Sequence, residues 1–288
     1  MPALIDLRRR IKSVRNTQQI TQAMKTVATA KLRKAQRLVM ESRPYWHSYS
    51  PVISEISFWA ERHEHPLLMK RKEKRIEAVV MTSDKGLCGA FNSNLLEKAV
   101  SFVEEKAQKA EVQMVLIGKK AVSLFRSHPF PSDRIYQDNV DKLTSDDLKD
   151  LARFLMNLYI THKTDAVYVL YNEFKSILAP RITAAKILPI EVPPAEAEKA
   201  ELPLAWEPQS GSLLSLLLPL YVENQICHAF FESSAAEQAS RMMAMDNATQ
   251  NAEDLIGDLT LVLNKMRQAS ITKELLEIMT AVNELAKK

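Results

Sequence analysis

Apolar residues enter the chain on a three-four beat. Leu4, Leu7, Ile11 and Val14 stand at the spacing that lines one narrow stripe of an α-helix, the seam of a coiled coil. The stripe breaks at Arg15-Asn16-Thr17-Gln18-Gln19 and resumes with Ile20, Met24, Val27, Ala28, Leu32, Ala35 and Val39. After Pro2 no proline or glycine intervenes before Pro44. The pattern predicts a helix of about 40 residues, roughly 60 Å long at about 1.5 Å per residue, which Pro44 and Pro51 end or bend. The other end of the chain behaves alike. From Leu220 to Lys288 there is no proline, and Gly257 is the sole glycine. Val222, Ile226, Ala229, Phe230, Ala236, Met243, Leu255, Leu259, Val262, Met266 and Ala269 carry the beat. A shifted register follows at Ile271, Leu275, Ile278, Val282 and Leu285. About 70 helical residues would span roughly 100 Å. Small residues such as Ala235, Ala236, Ala239, Ser240, Ala244 and Ala248 let a second helix approach closely.

Between the ends the period changes. Ile76–Thr82 and Val112–Gly118 read as strands, Arg134–Val140 as a third, Asp165–Phe174 and Arg181–Ile190 as two more. Helical stretches separate them: Ser93–Ala107, a short one from Lys119, and Thr144–His162, with Ser145 and Asp146 as capping candidates. Strands alternating with helices predict a largely parallel, doubly wound sheet. The Pro-, Glu- and Ala-rich segment Val192–Ser212 reads as a linker or exposed loop. The expected fold class is therefore α/β: a long antiparallel coiled coil of the terminal helices carrying an inserted Rossmann-like domain. Its bounds are 1–58 for the first shaft helix, 70–212 for the central α/β domain, and 213–288 for the second shaft helix. A seam this narrow leaves most of each helix uncovered, so other chains are expected to enclose it.

Charge sharpens this picture by its distribution. The net charge is +4. Residues 1–43 hold eleven basic side chains, from Arg8 to Arg43, against Asp6 and Glu41. A basic helix can bind nucleic-acid phosphates, but no aromatic residue that could stack on a base precedes Tyr45, and a solvated face is the plainer reading. Cys88 and Cys227 give neither a disulfide framework nor metal-ligand spacing, which points to a reducing compartment. The N-terminal residues lack the features of a signal or transit peptide, and no apolar run reaches the roughly 18 residues of a membrane span.

Several candidate sites read better as structure than as chemistry. Gly86-Leu87-Cys88-Gly89 follows a strand, yet it is neither GxGxxG nor a Walker motif, so a tight turn is favoured over a phosphate cradle. Cys88 has no histidine near it in sequence and reads as a buried small thiol. His63 and His65 beside Glu61 and Glu64 suggest a polar loop more than a metal site. Asp146-Asp147 fits a helix N-terminus, and Met242-Met243-Met245 fits helix packing.

One resemblance gathers these features. Ile11 to Met24, reading IKSVRNTQQITQAM, resembles the N-terminal signature of the gamma subunit of F-type ATP synthases. Ser83 to Gly89, SDKGLCG, resembles that family's strand-loop motif, and Ala239–Met245 through Asn264–Thr272 its C-terminal signature. The resemblance implies a central rotor stalk without catalytic residues, cofactor or metal. Its partners would be a ring of alpha and beta subunits, an epsilon subunit and a membrane ring of c subunits. It would sit peripherally on the cytoplasmic face of a bacterial inner membrane and couple proton flow to ATP synthesis. It also implies that Met24, Arg241, Asn264, Arg267, Gln268 and Thr272 contact the catalytic ring, and that Trp206 and Glu207 lie at the foot beside the c ring. Lys25 stands where the family commonly has Glu, and Trp206 where it has Tyr. The alternatives are a nucleotide-binding enzyme built on the α/β domain and a basic coiled-coil nucleic-acid binder.

Overall fold

The computed structural model describes residues 2–59, 65–176, 180–191 and 210–285. In chain order they form α1 (Pro2–Trp59), β1 (Arg75–Met81), α2 (Phe91–Ala107), β2 (Glu111–Ile117), α3 (Lys119–Phe125), β3 (Ser132–Tyr136), α4 (Ser145–Ile160), β4 (Ala166–Phe174), β5 (Pro180–Leu188) and α5 (Ser210–Leu285). Two compact units result: Met1–Ala28 with Met242–Lys288, and Thr29–Arg241.

Both terminal helices outrun their expected limits. α1 continues through Pro44 and Pro51 to Trp59, and α5 starts at Ser210 and contains Pro219. A proline deletes one i→i−4 bond and crowds the preceding turn, but it does not end a helix whose neighbouring turns are held. The end of the expected linker, Ser210–Ser212, is thus helical; its residues 192–209 lie outside the described part.

In the larger unit, five strands form one sheet in the order β3-β2-β1-β4-β5. β1 pairs in parallel with β2 and β4, β2 in parallel with β3, and only the edge strand β5 runs antiparallel, against β4. Period-two alternation sorts the side chains of the central strands onto two faces. Ile76, Ala78 and Val80 pack with Val112, Met114 and Leu116 beneath α2 and α3. Val79 and Met81 pack with Val115, Ile117, Val167 and Val169 beneath α4 and the first part of α5. There Leu214, Leu218, Val222, Ile226 and Ala229 present an i, i+4 ridge, which is what an amphipathic helix buries. The N-cap of α4 falls one residue earlier than expected. Thr144 and Asp147 form a reciprocal capping box: the Asp147 N–H donates to Thr144 Oγ1 (3.3 Å), and the Thr144 N–H to Asp147 Oδ2 (2.8 Å).

The smaller unit consists of the two helix ends, paired antiparallel. Thr249 Oγ1 donates to Thr21 Oγ1 at 2.8 Å, and Lys25 Nζ meets Asp246 Oδ1 at 2.6 Å, so numbering rises on one helix as it falls on the other. The least exposed positions of α1 here are Leu4, Leu7, Ile11, Val14, Gln18, Thr21, Met24, Lys25 and Ala28. The heptad therefore runs unbroken through the polar patch, with Gln18 and Thr21 in the seam. Ile20 and Val27, expected in it, point outward.

Candidate partner-contact surface

The crevice beyond the carboxyl ends of parallel strands, where the strand order reverses, is where doubly wound folds take ligands. Here the chain fills it from within. Ser233 Oγ of α5 donates to the Met81 carbonyl at the end of β1, and Glu232 accepts the Phe174 N–H at the end of β4 (2.8 Å). Ala236 packs on Cys88 and Phe91. Beside them the Asp84 carboxylate accepts the backbone N–H groups of Lys119 (3.0 Å), Asp138 (3.2 Å) and Val140 (2.9 Å), donors that could otherwise hold an anion. Gly118, at φ +97, must be glycine, since a Cβ would stand 2.3 Å from the Thr82 carbonyl oxygen.

The loop Ser83–Gly89 is a tight turn. Ser83 N–H donates to Asn92 Oδ1 (3.1 Å), Asn92 Nδ2 to Cys88 Sγ (3.1 Å), and Leu87 takes a left-handed φ of 61. Cys88 is buried, which pushes its thiol pKa up; burial likewise pushes Cys227 up to about 11. Neither thiol has the depressed pKa of a nucleophile. Arg241 clamps this loop to α5: its guanidinium meets Glu237 Oε1 at 2.6 Å and donates to the Gly86 carbonyl at 3.3 Å. Burial raises the Glu237 carboxyl pKa, and the guanidinium opposes the rise.

Of the residues expected to face a surrounding ring, Arg241 therefore differs from the rest. It is 9% exposed, its charge satisfied inside the chain, so the structure gives it an intrachain role in place of a free surface. Met24 is half-buried in the helix seam, whereas Asn264, Arg267, Gln268 and Thr272 are exposed on α5. Trp206 and Glu207 lie outside the described residues, as do Glu61, His63 and Glu64. His65 is described, and its Nδ1 accepts the Leu67 N–H.

The burial of α5 changes along its length. Thr249, Ala252, Ile256, Leu259, Leu263, Met266 and Ser270 keep a half-buried three-four stripe; every described side chain from Ile271 onward is exposed. The pairing register explains the change. With Thr21 opposite Thr249, Leu4 falls near Met266, and α1 ends within a turn of that point. Past it no described residue covers α5, and Ile271, Leu275, Leu276, Ile278, Met279 and Val282 are each 47% exposed or more. Leu255, Val262 and Ala269, expected in the seam, also face out. Leu261, Leu276 and Met279 did not stand out in the sequence; the shifted register after Ala269 was the signal available. Asn264, Gln268, Thr272, Leu275, Met279 and Val282 follow one three-four line, so the polar candidates and the bare apolar side chains share a face. Contiguous exposed apolar surface of this kind marks an interaction site. On α1 the side chains of Arg8, Arg9, Arg10, Lys12 and Arg15 are exposed as well.

Two chain-end helices paired antiparallel and a doubly wound α/β unit inserted between them in the chain define the class of fold. The family model described as ATP synthase matches residues 3–285, and the chain belongs to the ATP synthase gamma chain family. It is 41% identical to the gamma chain of Pelotomaculum thermopropionicum over 278 residues, covering 96% of this chain and 97% of that one. It is 43% identical to that of Solibacter usitatus over 285 residues, covering 97% and 98%. In fold it is similar to a chain of the Tetrahymena thermophila mitochondrial ATP synthase central stalk/c-ring, with TM-score 0.58, 24% identity and coverage of 80% and 99%. A chain of the Euglena gracilis mitochondrial ATP synthase OSCP/F1/c-ring gives TM-score 0.66, 17% identity and coverage of 99% and 95%. No described helix is long and apolar enough to cross a membrane.

Proposed function

We propose that this chain is the central rotor stalk of an F-type ATP synthase. In this reading it carries the rotation of a membrane c ring to the catalytic beta subunits, so that proton flow is coupled to ATP synthesis or hydrolysis. The observation that carries the reading is the bare apolar end of α5, Ile271 to Val282, which an enclosing ring of alpha and beta subunits would cover. Asn264, Arg267, Gln268 and Thr272 would meet that ring, as would Met24 on α1. Arg8 to Arg15 would meet acidic loops of the ring through solvated contacts, each weak and easily remade. Work passes from stalk to ring as differential contact energy between rotor angles, the only way one partner biases another's states. Trp206 and Glu207 are assigned to the foot, near the epsilon subunit and the c ring. The chain itself contributes no catalytic group, and it reaches the cytoplasmic face of the membrane through these partners.

Hydrogen exchange tests the reading directly. Amides of residues 271–285 should exchange rapidly in the free chain and be strongly protected once alpha and beta subunits are added. Equally rapid exchange in a purified mixture of all three chains would sink it. Gln268→Ala with Thr272→Ala should then lower ATP made per proton without moving the thermal unfolding midpoint.

A further inference from the structure

Glu77 stands in the middle of β1, the central strand of the sheet. Alternation places it with Val79 and Met81 on the face covered by α4 and α5. It is fully buried, and among the described residues neither carboxyl oxygen has a hydrogen-bond partner. A charged carboxylate held this way would cost several kcal/mol, and such groups ordinarily neutralise instead. Glu73 shows what the same fold does when it keeps a carboxylate charged. Lys186 (2.9 Å) and Lys106 (3.0 Å) flank Glu73 and Tyr168 donates to it at 2.8 Å, holding its pKa at about 2.

Next to Glu77 lies an open cavity of about 480 Å³ lined by Arg75, Gln113, Asp133, Phe154, Leu158 and Lys163. Gln113 is the residue directly opposite Glu77 on β2, so solvent comes within one side chain of the carboxyl. The charged groups around it offer no counter-ion. Arg75 on β1 is paired with Asp165 at the start of β4, Asp133 on β3 repels a second negative charge, and Arg134 stacks on Phe154 of α4. Lys163 stands at the cavity rim, and the Tyr159 hydroxyl of α4 donates to the Met69 carbonyl.

We infer that Glu77 is a proton-binding site of the α/β unit, a carboxyl carried into the sheet in its neutral form beside a solvent-filled cavity. Burial, then the Asp133 charge, raises its pKa from 4.5 to about 8. The folded state therefore binds the proton more tightly than the unfolded one. The contribution of Glu77 to stability is fully present below about pH 4.5, falls as pH rises, and is lost above about 8. The expected loss approaches tenfold in the folding equilibrium per pH unit inside that window.

Native-state hydrogen exchange on the full chain tests this, reading the protection factors of β1 and β2 amides from pH 5 to 9. Wild type should lose protection steeply up to about pH 8 and then level off, while Glu77→Gln and Glu77→Met stay flat. Asp133→Asn, on the exposed edge strand, should reach its plateau at lower pH. The carbonyl stretch of a protonated carboxylic acid should be present in the wild-type infrared spectrum at pH 6 and absent at pH 9. A wild-type slope shared by both Glu77 variants would overturn the inference. So would a wild-type spectrum without a protonated-acid band at pH 6 that disappears in Glu77→Met.

Discussion

α5 is one helix with two opposite surfaces. Between Leu213 and Met245 it buries Glu223, His228, Glu232, Ser233, Glu237, Gln238 and Arg241 along with Leu214, Leu218 and several alanines. From Leu255 to Val282 it exposes leucine, isoleucine, methionine and valine. By residue type alone the two halves would be assigned the other way round, since charged side chains are almost never fully buried unless paired. The difference teaches that burial along this helix follows its neighbours. In the larger unit α5 is pressed against the sheet, α4 and a loop, and these supply partners for several of its polar groups: Arg153 for Glu223, the Phe174 N–H for Glu232, the Met81 carbonyl for Ser233 and the Gly86 carbonyl for Arg241. In the smaller unit it has one thin companion, and beyond the end of α1 it has none. The proposed function gives the apolar residues there a surface to meet, that of the enclosing ring.

The largest effect that would test this comparison is at the buried clamp. Arg241→Ala takes the guanidinium away from the buried Glu237 carboxyl and the donor away from the Gly86 carbonyl. Removing one partner of a buried pair costs about 3 to 5 kcal/mol. Urea unfolding of the free chain should show that loss, while Gln268→Ala, on the exposed stretch, changes it by less than about 0.5 kcal/mol. Equal losses from the two substitutions would mean that the halves of α5 do not differ as described.

A second contrast uses apolar residues. Leu32 on α1 is buried in the larger unit, and Ile278 is 61% exposed. Leu32→Ala should destabilise the free chain by about 2 to 4 kcal/mol. Ile278→Ala should leave the free chain within about 0.5 kcal/mol of wild type. If the ring covers it, the same substitution weakens assembly with alpha and beta subunits by about 1 to 2 kcal/mol, near tenfold in the dissociation constant. A large loss in the free chain from Ile278→Ala would show that its own chain buries that residue after all.

How much of this was legible beforehand follows from the same contrast. The sheet was readable, because its strands are short apolar runs bounded by turn residues and its helices carry a clean three-four period. The expected strand Arg134–Val140 began two residues late and ended four late, since the edge strand β3 is almost wholly exposed and leaves no burial pattern to read. On α1 the seam was clear as far as Val14. It was then lost, because Gln18 and Thr21 occupy seam positions while Ile20 and Val27 sit outside, and hydrophobicity tracks a seam poorly where only one thin partner covers it. The intrachain contact of Arg241 was not legible, because nothing in its local sequence reveals the loop, about 155 residues away, whose carbonyl it holds. Glu77 was invisible for a related reason: a charge in an apolar strand reads as an outward position until both faces of the sheet are seen to be covered.

The smallest effect belongs to the exposed counterpart of the buried clamp. Lys25 and Asp246 join the two helices of the smaller unit at 2.6 Å, but their side chains are 33% and 50% exposed. Water screens such a pair, and its measured worth is about 0.2 to 1 kcal/mol. Lys25→Glu should therefore cost little more than that, read as faster amide exchange in residues 242–252. The double variant Lys25→Glu with Asp246→Lys should recover most of the loss, and raising salt should shrink both differences. This pair carries opposite charges across two helices that share little apolar seam near Gln18 and Thr21, so its value lies in fixing register more than in holding the helices together. A cost as large as that of Arg241→Ala would contradict that, because it would require the pair to be desolvated. Recovery in the charge-reversed variant would show that what matters at position 25 is the sign of its partner.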